Sequence, residues 1–298
     1  ISPYTGNDLY KVTFKPNTGK TVTIAASNNT INNNNNTVKA VFKLNGVDKV
    51  IFDGSNSENG TTKNLTLDNT NTSNNNRAVI WIASENSSNG SNNNEIKNII
   101  LKQYSKGQED YSIGIFGGGT SDVSSVAEAA NTNTTVTNVE FNKVGQAIYV
   151  NGNTSLLSSN WYIRANTIGN TSSDNTTKPY VAVNFMNVKD YEVSNNIIDG
   201  LVRDASQNTS ATHAAVYVDG NSNGSIFNNK IANLSNLQGD GAPDSRGIYI
   251  NSSNNLIYNN FIRNITSSAS YSKASGIYIH SGSGNKIYYN TIVMNNHS

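Results

Sequence analysis

Hydrophobic positions in this chain come as short runs alternating with polar ones, the period of strands rather than of helices. One five-residue pattern recurs at 41–45, 79–83, 114–118, 147–151, 182–186, 215–219, 247–251 and 276–280. Its clearest statements are Gly247-Ile248-Tyr249-Ile250-Asn251 and Gly276-Ile277-Tyr278-Ile279-His280. The second and fourth positions are nearly always Ile, Val, Leu or Phe, so alternation places both on one face, the inside. The first position is small from Gly114 onward, which suits a chain turning a corner into the strand.

Each later unit carries a second run with Asn in fixed places. Asn98, Asn138, Asn195, Asn228 and Asn259 align in one column, and Asn166, Asn196, Asn229, Asn260 and Asn290 in the next. A unit of about 30 residues, repeated, is the signature of a stacked solenoid. Stacked at about 4.8 Å, identical amides hydrogen-bond along the column, and Asn also accepts the left-handed backbone of a tight corner. The pattern therefore predicts a single-stranded right-handed parallel β-helix of about eight to nine coils, all-β. Asn195, Asn196, Asn228, Asn229, Asn259, Asn260 and Asn290 form its structural ladder.

Residues 1–40 read as N-terminal capping strands and a first coil, and 41–298 as the repeats. The cap reading pairs the runs at 10–14 and 21–24 across the turn signal Pro16-Asn17-Thr18-Gly19. Polar inserts at 55–63, 69–76, 86–94, 120–133, 172–178, 205–211 and 238–244 interrupt the units, and such inserts gather on one side of a solenoid. The Asn tract at 27–36 reads as a protruding loop. Both ends look cut, as by processing or from a longer chain.

Composition narrows the function. Hydrophobic residues are 35% and charged residues 14% of the chain, with a formal net charge of +1. No basic stripe exists, so nothing draws the chain to nucleic acid. There is no Cys, hence no disulfide framework or thiolate chemistry. No apolar run is long enough to insert in a membrane.

The run Val47-Asp48-Lys49-Val50-Ile51-Phe52-Asp53-Gly54-Ser55-Asn56, with Lys63-Asn64-Leu65-Thr66-Leu67, resembles the opening coils of large secreted parallel β-helix proteins of Bacteroidota. Ala78-Val79-Ile80-Trp81-Ile82 and the later units look like the coils that follow, and are similar to the NosD and pectate-lyase superfamily repeats. The resemblance implies an exported or cell-surface protein, delivered through the type IX secretion route by a C-terminal sorting domain that this sequence does not contain.

Two sets of residues are candidates for chemistry. The third position of the units points outward and reads Lys43, Trp81, Phe116, Tyr149, Asn184, Tyr217, Tyr249, Tyr278. This aromatic column is either a ligand or partner surface, or a ladder that supports itself or lies under an inter-coil loop. Late in the chain stand Asp199, Asp204, Asp219, Asp240 and Asp244 with Arg203, Arg246 and His213. Converging carboxylates with a basic residue hydrolyse glycosides, or bind Ca²⁺ and deprotonate a uronic acid. Solvated loop charges are the plainer reading. His280 takes the place of Asp219 and Asn251 in its coil, and His297 stands at the cut end.

The sequence thus points to a secreted structural or adhesive rod, part of a cell-surface adhesin or appendage. Its partner would be carbohydrate or another cell-surface protein, with homo-oligomer assembly open and no cofactor required beyond Ca²⁺ as an option. The alternative is a polysaccharide lyase or glycoside hydrolase whose catalytic set is Asp199, Asp204, Asp219, Asp244, Arg203 and Arg246.

Overall fold

The computed structural model describes residues 11–27, 39–71, 76–104, 112–169, 174, 178–204, 213–238, 244–268 and 272–294. Every described element is a strand, and every strand pairing is parallel. Three sheets of nine, ten and eight strands result, here called A, B and C. One coil shows the path: Val181–Met186 in sheet C, Val188–Ser194 in A, Ile197–Asp199 in B, then His213–Asp219 back in C beside the strand it began with. The chain is a parallel β-solenoid.

The N-terminal runs correct one expectation. Val12–Phe14 pairs with Val50–Asp53 in sheet A, while Val22–Ala26 pairs with Leu65–Asn69 in sheet B. They are not a hairpin but two sides of a coil, each paired with the coil after it. Tyr10 and the tract at 28–36 lie outside the described residues.

Inward positions of all three sheets interlock in one column of Ile, Val, Leu and Phe, from Leu44 and Phe52 to Ile257 and Ile262. Each such side chain contributes about 1.5–3 kcal/mol by leaving water. The one glycine at an inward fourth position, Gly117, has a local cause: a Cβ there would lie 2.6 Å from the ring of Trp161, which fills that layer from sheet A. Gly247 is small for a related reason, since a Cβ would lie 2.4 Å from the carbonyl oxygen of Gly276 in the next coil. The small first position thus answers to close packing between coils.

The two Asn columns do different work at the corner between sheets A and B. Asn98, Asn138, Asn195, Asn228 and Asn259 have φ between 52° and 56°, the left-handed turn that lets a strand of A bend into B. The next residue is the ladder. Nδ2 of Asn166, Asn196, Asn229 and Asn260 each donates to Oδ1 of the following rung at 2.9–3.0 Å. The same amide also donates back to a carbonyl of the preceding coil, as Asn229 does to Val193 at 2.8 Å. Ala165 and Tyr289 take the left-handed place in their own coils.

Candidate functional site

Sheet C presents its third positions outward in unbroken register: Lys43, Trp81, Phe116, Tyr149, Asn184, Tyr217, Tyr249 and Tyr278 pair in succession. The column nevertheless divides in two. Trp81, Phe116 and Tyr149 are 4%, 0% and 5% exposed, so for this half of the column the structure has the covered alternative rather than an open surface. They pack with Val123, Ala78, Ala83 and Ile113 into a small second core outside the sheet.

The insert after Gly118 makes that cover. Trp81 Nε1 donates to the Gly119 carbonyl at 2.9 Å, and Lys43 Nζ donates to the Thr120 carbonyl at 2.7 Å while standing 4.0 Å from the Trp81 ring centroid. Burial holds the Lys43 pKa below its ordinary value, with Lys39 adding to the fall and Glu128 opposing it. Lys39 Nζ meets Asp122 at 2.8 Å, and Ser84 Oγ donates to Glu128 at 2.6 Å. Asn151 Nδ2 fastens the far side through the Ser124 carbonyl at 2.8 Å.

Beyond Asn184, which donates to Gln146 Oε1 at 3.0 Å, the column opens. Tyr217, Tyr249 and Tyr278 are half-buried. Tyr217 and Tyr249 stack with centroids 4.8 Å apart, and Tyr249 and Tyr278 lie 5.6 Å apart at 39°. Asp219 borders the row on one side. Its carboxylate accepts from the Tyr217 hydroxyl at 2.7 Å, the Gly220 N–H at 2.6 Å and Asn251 Nδ2 at 2.9 Å. Arg246 borders the other side, ion-paired with Asp244 and 4.1 Å from the Tyr278 ring centroid. Burial raises the Tyr249 pKa, Asp219 and Tyr278 raise it further, and Arg246 opposes them.

His280 does not occupy the place of Asp219 and Asn251. The register shifts after Ile250, so that Ser281 pairs with Asn251 and His280 is the extra residue of a bulge. Its ring stacks 5.9 Å from Tyr249 instead.

The structure distributes the remaining charged candidates. Asp199 ends a strand of sheet B and accepts from Asn233 Nδ2 at 2.7 Å. Arg203 is fully buried, its Nε donating to Gln238 Oε1 at 2.9 Å. Asp204 follows it, half-buried. His213 is buried beside Ser245 Oγ at 3.0 Å. Of the set, Asp219, Asp244 and Arg246 share the sheet C side, whereas Asp199 stands on sheet B. Asp240 and His297 lie outside the described residues.

Two features escaped the sequence reading. A cleft of 390 Å³ opens at the corner between sheets C and A, lined by Asn221, Asn223, Asn251, Ser253, Asn254 and Ser281 among others. A second aromatic row, Phe227, Tyr258 and Tyr288, stands on sheet A with rings within 4° of parallel. Its signal was present, since each ring precedes a ladder Asn by two residues.

Among the described residues, no helix is long and apolar enough to cross a membrane. No family model matches the chain. No curated protein matches it either. Among solved structures, it aligns with the Streptococcus pneumoniae surface protein and adhesin PfbA at 11% identity and a TM-score of 0.36, over 85% of this chain and 63% of that one, less than two thirds of its length.

Proposed function

We propose that this chain is an extracellular structural and adhesive rod, a segment of a cell-surface adhesin or appendage, which meets its partner through Tyr217, Tyr249 and Tyr278. The observation that carries the reading is the division of one register-locked column: its first aromatics are sealed under the chain's own insert, and its last three stand half-open. Tyrosine held on a sheet offers a large amphipathic contact at little entropic cost, because its rotamer is already fixed by the neighbours in the column. Export through the type IX route belongs to the same proposal and follows from the resemblance of the opening coils. Beads coated with the protein, tested on carbohydrate-bearing and protein-coated surfaces, decide it. Adhesion should fall when Tyr217, Tyr249 and Tyr278 become Ala; unchanged adhesion would remove this face as the contact.

A second reading is favoured by one observation, that Asp219 and Arg246 flank Tyr249 on the same sheet and both act on its hydroxyl. On this reading the face is that of a polysaccharide lyase or glycoside hydrolase. A depolymerisation assay on acidic and neutral polysaccharides, with and without Ca²⁺, separates the two: turnover abolished by Asp219→Asn favours the enzyme.

A further inference from the structure

The corner cleft does not end at the corner. A second cleft of 360 Å³ lies on sheet A, bordered by Tyr162, Glu192, Ser225, Phe227 and Leu256, and the two share Asn223 and Asn254. These residues are equivalent, one coil apart, because Ser225 pairs with Leu256 two positions on. Asn223 is half-buried, and Asn254 is exposed with a φ of 60°.

Their amides differ from those around them. Asn187 is bonded to the Gly152 carbonyl, Asn251 to Asp219 and Asn255 to Asn285. The side-chain amides of Asn223 and Asn254 make no hydrogen bond to any described residue. Each therefore keeps hydrogen-bonding capacity unspent at the cleft, the Asn254 Oδ1 lying against Gly284 and its Nδ2 donors unpaired. Ser222, Ser252, Ser253 and Ser281 also line the corner cleft, and none of its lining residues is charged.

Aromatic rows stand on the two sheets that meet at the corner. On the sheet C side stand Tyr249 and Tyr278, in the strands that run into this corner. On the sheet A side stand Phe227 and Tyr258, their centroids 4.9 Å apart. Charge of both signs borders the band: exposed Lys189 and Lys286 lie in register with Asn223 and Leu256, and Asp190 and Glu192 line the sheet A cleft, so neither sign prevails and the uncharged corner between them has no net charge to draw an ionic polymer.

We propose that this band binds a neutral oligosaccharide that crosses the rod at the corner of sheets C and A, rather than one running along its axis. The inference rests on the reading of the sheet C tyrosines as a contact surface, and adds to it a ligand class and a path. A sugar ring carries apolar C–H groups and a rim of hydroxyls, which need an aromatic shelf beside two-way hydrogen-bonding groups. Tyr249 and Tyr258 supply shelves on either side, and Asn223 and Asn254 supply the paired amides between them.

The test is calorimetric titration of the whole chain with neutral gluco-, manno- and xylo-oligosaccharides of graded length, beside uronic-acid oligosaccharides. At least one neutral series should bind, tightening with length until both rows are spanned. Asn223→Ala with Asn254→Gly should weaken that binding about tenfold or more. Glycine accepts the left-handed φ at 254, and an unchanged far-UV spectrum and melting temperature verify the fold. Tyr258→Ala should weaken long oligosaccharides and spare short ones. Binding by uronic-acid chains alone, or by none, overturns the inference. So does neutral-sugar binding that survives the Asn changes. If that binding is lost in Tyr249→Ala, the sheet C reading stands while this one falls; if Tyr249→Ala also leaves it intact, both fall.

Discussion

Asn196 Nδ2 donates to Asn229 Oδ1 at 2.9 Å, and the backbone N–H of Asn196 donates to the same oxygen at 3.0 Å. One side-chain oxygen thus satisfies two donors of the preceding coil where neither has access to water. Replacing Asn229 by Gly should cost about 3 kcal/mol, since two buried donors and the Val193 carbonyl lose their partner. Its neighbour Asn228, at φ 56°, should tolerate the same change with a cost near zero, because glycine takes that conformation freely. Adjacent residues of one type therefore answer oppositely to one substitution, and hydrogen exchange of the Asn196 amide reads the difference locally.

Trp81 anchors the insert that seals the covered half of the aromatic column. Trp81→Ala should destabilise by about 3–5 kcal/mol, as expected for deleting a buried indole. The effect should be local: limited proteolysis cuts the variant near 120–128 while the later coils stay protected. Tyr249→Ala, on the open half, should leave that protection unchanged.

Stability should fall on the acid side. The hydrogen bonds from Arg164 hold the Glu192 pKa below the ordinary carboxylate range, with burial opposing and Ser194 helping. A carboxyl depressed in the folded state contributes stability that is present above its unfolded pKa and is lost as pH falls through the folded one. Asp53 acts in the same direction: burial would raise it, but Asn98, the Ser55 N–H and Lys15 together bring it down. Urea midpoints measured from pH 6 downward should drop below about pH 4.5, and Glu192→Gln should flatten that slope.

The Tyr249 hydroxyl should titrate above an ordinary phenol. Its burial is unaltered by Asp219→Asn, but the carboxylate charge that raises it further is removed. The variant's Tyr249 should therefore ionise at lower pH than in the parent, though still above a free tyrosine. Carbon-13 shifts of the tyrosine Cζ resolve it from the other rings.

Repetition made part of this legible in advance. The Asn columns and the inward Ile and Val positions recur at one spacing, so strand faces, parallel stacking and the corner residues follow from alignment of the chain with itself. What occurs once was not legible. The insert after Gly118 reads only as polar sequence, and nothing local says that Val123 will lie with Phe116 and Tyr149. The bulge at His280 adds one residue to a strand and moves a side chain by one place, which an alignment without gaps assigns to the wrong column. Phe227, Tyr258 and Tyr288 repeat, yet they vary enough with Ser194 and Arg164 in the earlier coils to hide the row.

The direction of the amide column has a mechanical consequence. Backbone bonds between coils, and the Asn ladder with them, all point along the rod. Tension applied between its ends therefore loads them one coil at a time, as in unzipping, instead of shearing many together. Each coil that yields releases about 31 residues, the spacing from Asn229 to Asn260, and so roughly 100 Å of slack. Under a steady pull the rod would pay out length in steps at low force, and shorten again when the load is removed.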